Sequence, residues 1–173
     1  MSPYLLTGFA LNDLVSAQRE FLALRDQTSS AMLATVTQGQ NPAASYAPLV
    51  WLDGHCYLFL SELALHTRNL KRCSSISLVL IEAEDVAANS FARRRITLDG
   101  SVLIIARDDS LFDRVLAEFH RRFGKVMTII EPLPDFSLFR VCLQAGRFVR
   151  GFGQAYDLSG EDLDELVHID MAK

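Results

Sequence analysis

Apolar and polar positions alternate along this chain with two different periods, and the switches between them mark its elements. Residues 12–27 carry Leu14, Val15, Phe21, Leu22 and Leu24 at helical spacing, behind Asn12, a good capping residue. They predict a first helix, broken by Thr28, Ser29 and Ser30. Residues 31–37 are apolar and β-branched and end in the turn QGQNP, so a strand is expected there. A second strand over 43–52 leads through Asp53-Gly54 into a third over 55–60. Asp-Gly between two apolar runs is a strong hairpin signal.

Helix and strand signals continue to alternate beyond this point, with no internal repeat. A short helix is expected over 64–73, with Arg68, Lys71 and Arg72 near its negative pole. Residues 76–81 form an apolar run of strand length. Residues 93–106 read as a long strand or a bent hairpin, with Asp99-Gly100 at the bend or turn. The clearest helix spans 108–123: Asp108 or Asp109 caps it, Gly124 ends it, and Leu111, Phe112, Val115, Leu116 and Phe119 form its buried face. Pro132 and Pro134 punctuate a loop before a last long strand over 136–149. The tail 159–168 reads as a short acidic helix capped by Ser159. Six or so hairpin-linked strands with two or three helices predict an α+β domain. Its sheet should be mostly antiparallel, a small closed barrel with helices plugging or flanking it. The expectation is one domain over 1–173, with a core of about 12–158 and a tail over 159–173.

Composition narrows the class. With 173 residues, half of them apolar and 22% charged, the chain can build a core without staples. Seventeen basic against 21 acidic side chains give a net charge of −4, which argues against a broad nucleic-acid face. No apolar run approaches membrane-spanning length. The first residues lack the basic start of a signal peptide. Cys56, Cys73 and Cys142 are an odd, widely spaced set, read as reduced thiols suited to the cytoplasm.

Common catalytic signatures are absent: GxSxG, HExxH, a phosphate loop, or GxGxxG after a strand. The four histidines make no zinc pattern. Four stretches still invite chemistry. Ser61–Leu70 runs from a strand end into a helix start and clusters His66, Thr67 and Asn69. It is either an anion site or a polar first turn. In Ala92–Val102, three consecutive arginines in a strand put Arg93 and Arg95 on one face and Arg94 on the other. They make either an anion-binding face or a solvated edge. Asp135 stands at a strand entrance, where a turn or cap role is common. Gly146–Tyr156 sets three glycines around Phe148 and Phe152, so the backbone is either held close to something flat or simply bulged. His168 lies near the end, where a solvated tail residue is the ordinary reading.

Taken together, SYAPLVW (45–51), FLSELALHTRNL (59–70), SLVLIE (77–82), ARRRITLDG (92–100) and GRFVRGFGQAY (146–156) resemble the haem-iron-utilisation proteins of the HugZ and HutZ type. That group is a branch of the superfamily related to pyridoxamine 5′-phosphate oxidase. The resemblance implies a six-stranded split β-barrel, working as a homodimer with ligand pockets at the interface. The wider superfamily binds FMN through a pattern like S-x-K-x-x-N-L. Here the stretch reads Ala64-Leu65-His66-Thr67-Arg68-Asn69-Leu70, so the serine and the lysine are lost while Asn69 and Leu70 fit. That departure favours haem over FMN and matches the haem branch.

In that branch haem is cleaved with O₂ and electrons between two subunits. The resemblance implies His168 as the ligand to iron, supported by Asp135 of the partner chain. Arg95, with Arg93 on its face, would meet the propionates; His66, with Thr67 and Asn69, would edge the pocket. The backbone beside Phe148 and Phe152 would approach the haem plane. Longer members continue into a second small domain, which this chain is expected to lack. The functional expectation is an O₂-dependent haem-degrading enzyme with an electron donor, acting in the cytoplasm. The alternatives are an FMN-dependent oxidoreductase of the same barrel and a non-catalytic haem carrier.

Overall fold

Among the described residues the strands Pro42–Pro48, Ser30–Val36, Ser75–Ile81, Arg95–Ile105, Phe136–Gly151, His55–Ser61 and Val50–Leu52 pair in that order, Gln154–Ser159 pairs with Phe136–Gly151, and Glu165–His168 pairs with Gln154–Ser159. The computed structural model describes residues 3–169, with side chains from Asp13 onward. Its elements are α1 (Pro3–Gln27), β1 (Ser30–Val36), β2 (Pro42–Pro48), β3 (Val50–Leu52), β4 (His55–Ser61), α2 (Leu65–Arg72) and β5 (Ser75–Ile81). There follow β6 (Arg95–Ile105), α3 (Ser110–Phe123), α4 (Lys125–Ile130), β7 (Phe136–Gly151), β8 (Gln154–Ser159) and β9 (Glu165–His168). Six strands were expected and nine are found among the described residues. The run 43–52 is interrupted between Pro48 and Val50, and two more strands follow β7, one before the tail and one within it.

That tail is a correction. Residues 159–168 do not form a helix. Antiparallel pairing joins Tyr156 to His168 and Leu158 to Leu166. Leu158 and Leu166 are buried on one face while Asp157 and Val167 are exposed on the other, a period of two. The first helix also differs. It begins at Pro3, so the backbone of Asn12 lies inside it. The expected side-chain cap of Asn12 falls outside the described side chains. Proline suits a first helical position, where its missing N–H has no partner to lose. The buried stripe of α1 is Ala17, Phe21 and Leu24, and Val15 is exposed.

The chain divides into two compact units. One comprises residues 29–79 and 98–144. Its core gathers Phe112, Val115, Leu116 and Phe119 of α3 against Val50, Tyr57, Phe59, Met127 and Leu138. Each such side chain contributes about 1.5–3 kcal/mol by leaving water. The Phe59 ring meets Phe136, Phe119 and Phe112 at centroid distances of 5.0, 6.1 and 6.3 Å. Asp109 caps α3, its carboxylate accepting from the Leu111 N–H at 2.8 Å. Asp53 and Gly54 both adopt positive φ, as the tight turn between β3 and β4 requires.

Strand β6 runs straight through Asp99-Gly100, so the alternative of a hairpin there is set aside. Gly100 is needed for a different reason. A Cβ at this position would lie 2.2 Å from the Cys142 carbonyl oxygen of β7.

The other unit comprises residues 1–28, 80–97 and 145–173. Here α1 packs its Phe21 edge-on to Phe148, with centroids 5.8 Å apart, and Phe148 stacks on Tyr156 at 6.2 Å. No helix among the described residues is long and apolar enough to cross a membrane.

Gly100→Ala should therefore destabilise the protein by about 2–3 kcal/mol, because backbone of the neighbouring strand must move. Chemical denaturation measures this, and a loss under about 0.5 kcal/mol would contradict the close crossing.

Candidate functional site

The nine candidate residues fall into the two units, four in one and five in the other. Asp135, His66, Thr67 and Asn69 belong to the α3-containing unit, and their surroundings are the turn between β4 and α2. The Ser61 hydroxyl at the end of β4 donates to Asp135 Oδ2 at 2.5 Å. The Glu62 N–H donates to the Asp135 carbonyl at 2.8 Å, and the Leu63 N–H to Ser61 Oγ at 3.2 Å. The structure thus brings Asp135 to the entrance of the helix that carries His66. His66 is half-buried, which lowers its pKa and keeps the ring neutral at neutral pH.

Thr67 and Asn69 point inward. Asn69 is buried and donates from Nδ2 to Thr35 Oγ1 at 3.0 Å, tying α2 to β1. Thr67 is fully enclosed, and its hydroxyl has no hydrogen-bond partner among the described residues. Ala64, at the cap position of α2, offers no side-chain hydrogen bond. The N–H groups of Glu62, Leu63 and Ala64 are all engaged within the turn. A phosphate at this turn would meet the Asp135 carboxylate and find no side-chain donor at Ala64, which makes the turn a poorer match to the FMN phosphate than one carrying the serine and the lysine.

Arg93, Arg95, Phe148, Phe152 and His168 belong to the α1-containing unit. The expectation of three arginines in one strand is corrected: β6 starts at Arg95, so the alternation of faces does not apply to Arg93 and Arg94. Both are held by Glu82. Arg94 reaches Glu82 Oε1 from Nε at 2.9 Å and from Nη2 at 2.6 Å. Arg93 donates from Nε to the Glu82 carbonyl at 3.1 Å and approaches Glu84 at 3.5 Å. Arg95 makes only one hydrogen bond, from Nη1 to the Arg93 carbonyl at 3.2 Å, and no ion pair among the described residues.

Phe148 is wholly buried between Phe21 and Tyr156, a place in the core. Phe152 stands at the tip of the turn joining β7 to β8 and is 73% exposed. Gly153 supplies the positive φ of that turn. Added Cβ atoms at Gly151 and Gly153 would meet no other atom of this chain, and the β7–β8 register has an irregularity between Val149 and Gly151, as a bulge gives. His168, exposed at the end of β9, meets the Tyr156 ring edge-on with centroids 5.2 Å apart. The Tyr156 hydroxyl reaches Asp13 at 3.5 Å. Burial raises the Tyr156 pKa.

Sequence reasoning passed over Arg150, on the same hairpin. It binds Asp13 at 2.6 Å, Glu20 at 2.8 Å and Ser16 at 3.1 Å, fastening α1 to β7. Its pKa is raised, chiefly by Glu20. Its signal was a second arginine three residues after Arg147, one residue before the end of the strand. A cavity of about 430 Å³ is lined by Ala34, Val36, Ser75, Ser77, Asp99 and Gln144, among others. A second, about 140 Å³ and apolar, lies among Phe59, Phe119, Phe123 and Met127. Neither is lined by any of the nine candidates. No group of three His, Cys, Asp or Glu side chains suited to a metal ion occurs among the described residues.

Residues 15–150 match the family described as pyridoxamine 5′-phosphate oxidase. This chain belongs to that family. Within the family, it is 38% identical over 151 residues to the heme oxygenase HutZ of Vibrio cholerae, covering 87% of this chain and 86% of that one. A crystal structure of HutZ from the same organism, described as a heme storage protein, superposes with a TM-score of 0.70 at 34% identity. The match covers 73% of this chain and 89% of that one. Campylobacter jejuni ChuZ matches with a TM-score of 0.81 at 28% identity, over 90% of this chain and 63% of that one. A heme binding protein from Mycobacterium smegmatis matches with a TM-score of 0.75 at 25% identity, over 86% of this chain and 60% of that one. The α+β architecture with an antiparallel sheet and helices is thus the one these family members share.

The pairing of Arg94 with Glu82 predicts a pH signature. Glu82 is only 11% exposed, and the Arg94 hydrogen bond holds its pKa below the ordinary 4.5. Its folded pKa is depressed, so its stabilisation is complete above that ordinary value and is lost as pH falls through the folded one. Glu82→Gln should cost about 1 kcal/mol at neutral pH, with the gap to wild type closing as pH falls below 4.5. A gap that stays constant across denaturant melts at these pH values would refute the assignment.

Proposed function

We propose that this protein binds haem and degrades it with O₂ and electrons from a separate donor, releasing iron in the cytoplasm. The observation that carries the reading is Arg95. It is the member of the arginine triplet left without a carboxylate partner among the described residues, while Arg93 and Arg94 are engaged by Glu82. A guanidinium so placed suits a propionate, and the likeness to HutZ supplies the ligand class. Haem is the substrate, and the haem supplies its own redox iron.

The chain's residues hold and orient it. His168 ligates the iron, and the Tyr156 ring edge sets the imidazole plane. Asp135 of the partner subunit accepts from the other ring nitrogen, which fixes the tautomer and strengthens the donor. Asp135 has one oxygen bound to Ser61 and a second available for this. Arg95, with Arg93 behind it, meets the propionates. His66 edges the pocket as a neutral ring. Phe152, exposed at a hairpin tip, offers an apolar wall. Thr67, Asn69 and Phe148 serve from the core, as the frame behind these groups. A haem carrier using the same residues is the second reading, favoured by the description of the Vibrio cholerae HutZ structure as a heme storage protein.

The reading calls for a homodimer with pockets at the interface, built on the six-stranded split barrel. One sheet face supports it. Across β1 and β2, Met32 faces Tyr46, Ala34 faces Ala44 and Val36 faces Pro42. Met32 and Tyr46 are 55% and 57% exposed, and no charge interrupts the row.

Titration with hemin should give a saturable Soret band at one haem per subunit. His168→Ala should shift that band, and Arg95→Met should weaken binding roughly ten-fold. With reductant and O₂, loss of the band must be insensitive to catalase to count as enzymatic. Stable haem under those conditions leaves the carrier, and no saturable band refutes both readings. In light scattering, the wild type should run at twice the 19.3 kDa chain mass and Tyr46→Glu at the single mass. A wild-type monomer would refute the shared pocket.

A further inference from the structure

We propose that Arg107 is a positioning residue: it holds the loop over 131–136 in one conformation and so fixes the Asp135 carboxylate. This rests on the reading of Asp135 given above. The loop reads Glu-Pro-Leu-Pro-Asp-Phe. Pro132 and Pro134 have no N–H, so the loop is poor in internal donors and its carbonyls need partners from outside. A single guanidinium supplies them. Arg107 donates from Nη1 to the Glu131 carbonyl at 3.1 Å, and from Nη2 to the Leu133 carbonyl at 2.7 Å and the Phe136 carbonyl at 3.1 Å. These three carbonyls bracket Asp135 on both sides. The guanidinium also lies 5.3 Å from the centroid of the buried Phe112 ring, which anchors it to α3.

A second contact secures the loop's first residue, where His120 Nε2 meets Glu131 Oε2 at 2.5 Å. On the far side, Asp135 is joined to the β4–α2 turn through Ser61 and the Glu62 N–H. The carboxylate is therefore set by two separate attachments, and Arg107 provides one of them. Only a planar fork with several donors can serve three carbonyls and stack on a ring, so lysine is not an equivalent. The residue as a whole is exposed, which places it outside the core whose loss would unfold the unit.

The test uses Arg107→Lys, Arg107→Met, Asp135→Asn and the double variant Arg107→Met/Asp135→Asn in the full chain. Hydrogen exchange should rise about ten-fold or more at the amides of Leu133, Phe136 and Glu62 in both Arg107 variants, with the α3 amides unchanged. Hemin loss to excess apomyoglobin should accelerate about five-fold in Arg107→Met. On the Asp135→Asn background the same substitution should add nothing, because it acts through that carboxylate. Unchanged exchange at the three amides, or additive effects in the double variant, would overturn the proposal. If Asp135→Asn leaves hemin loss unaltered, the role given to Asp135 falls, and the link from Arg107 to the site falls with it. If wild type binds no hemin, the functional reading falls, and exchange alone decides whether Arg107 holds the loop.

Discussion

Strand β7 is the constraint on which the rest depends. Sixteen residues long, it cannot leave its backbone donors and acceptors unpaired, so it dictates what must lie beside it. Over 136–141 it pairs with β4, and over 147–151 with β8. It contributes residues to both compact units. Its entrance carries Asp135, its middle forces a glycine at position 100, and its far end carries Phe148 and Arg150. Candidate groups from the sequence thus acquire fixed surroundings through one element. A change that disturbs β7 pairing disturbs both sets of candidates.

Charge is distributed with similar economy. A guanidinium that leaves water needs carboxylates or carbonyls to replace it, and most arginines discussed here have them. Arg150 is fastened to Asp13 and Glu20, Arg94 to Glu82, and Arg107 to three carbonyls. These contacts serve the fold. Arg95 differs because its one hydrogen bond goes to a carbonyl of its own segment. What sets Arg95 apart from these arginines is therefore the carboxylate partner it lacks among the described residues, which no count of arginines reveals. Likewise, the N–H groups of residues 62–64 in the turn before α2 are taken by Ser61 and Asp135.

Most elements were legible in the sequence because their causes are local. Asp109 caps α3 through a hydrogen bond two residues long, and Asp53-Gly54 turns the chain through its own dihedral angles. The apolar period over 111–119 placed the helix face that the structure buries. The short helix α4 escaped notice because six residues give too little periodicity to register. The tail failed for the opposite reason. Its acidic, capped look is helical in isolation, but pairing with β8 gives its backbone partners and buries Leu166.

The candidate site divides along the same line. Residue types and their order, from Ala64 and His66 to Arg95 and His168, were fixed by the sequence alone and sufficed to identify the family and favour haem over FMN. The partners were not. Whether an arginine is engaged or available, whether Asn69 faces a ligand or Thr35, and which carbonyls meet Arg107 all depend on residues 11 to 137 positions apart in the chain. Sequence determines local conformation through dihedral preference and short-range hydrogen bonds. Only tertiary packing determines which charges are neutralised, because Coulomb and hydrogen-bond energies act through space over a few ångströms and are indifferent to distance along the chain.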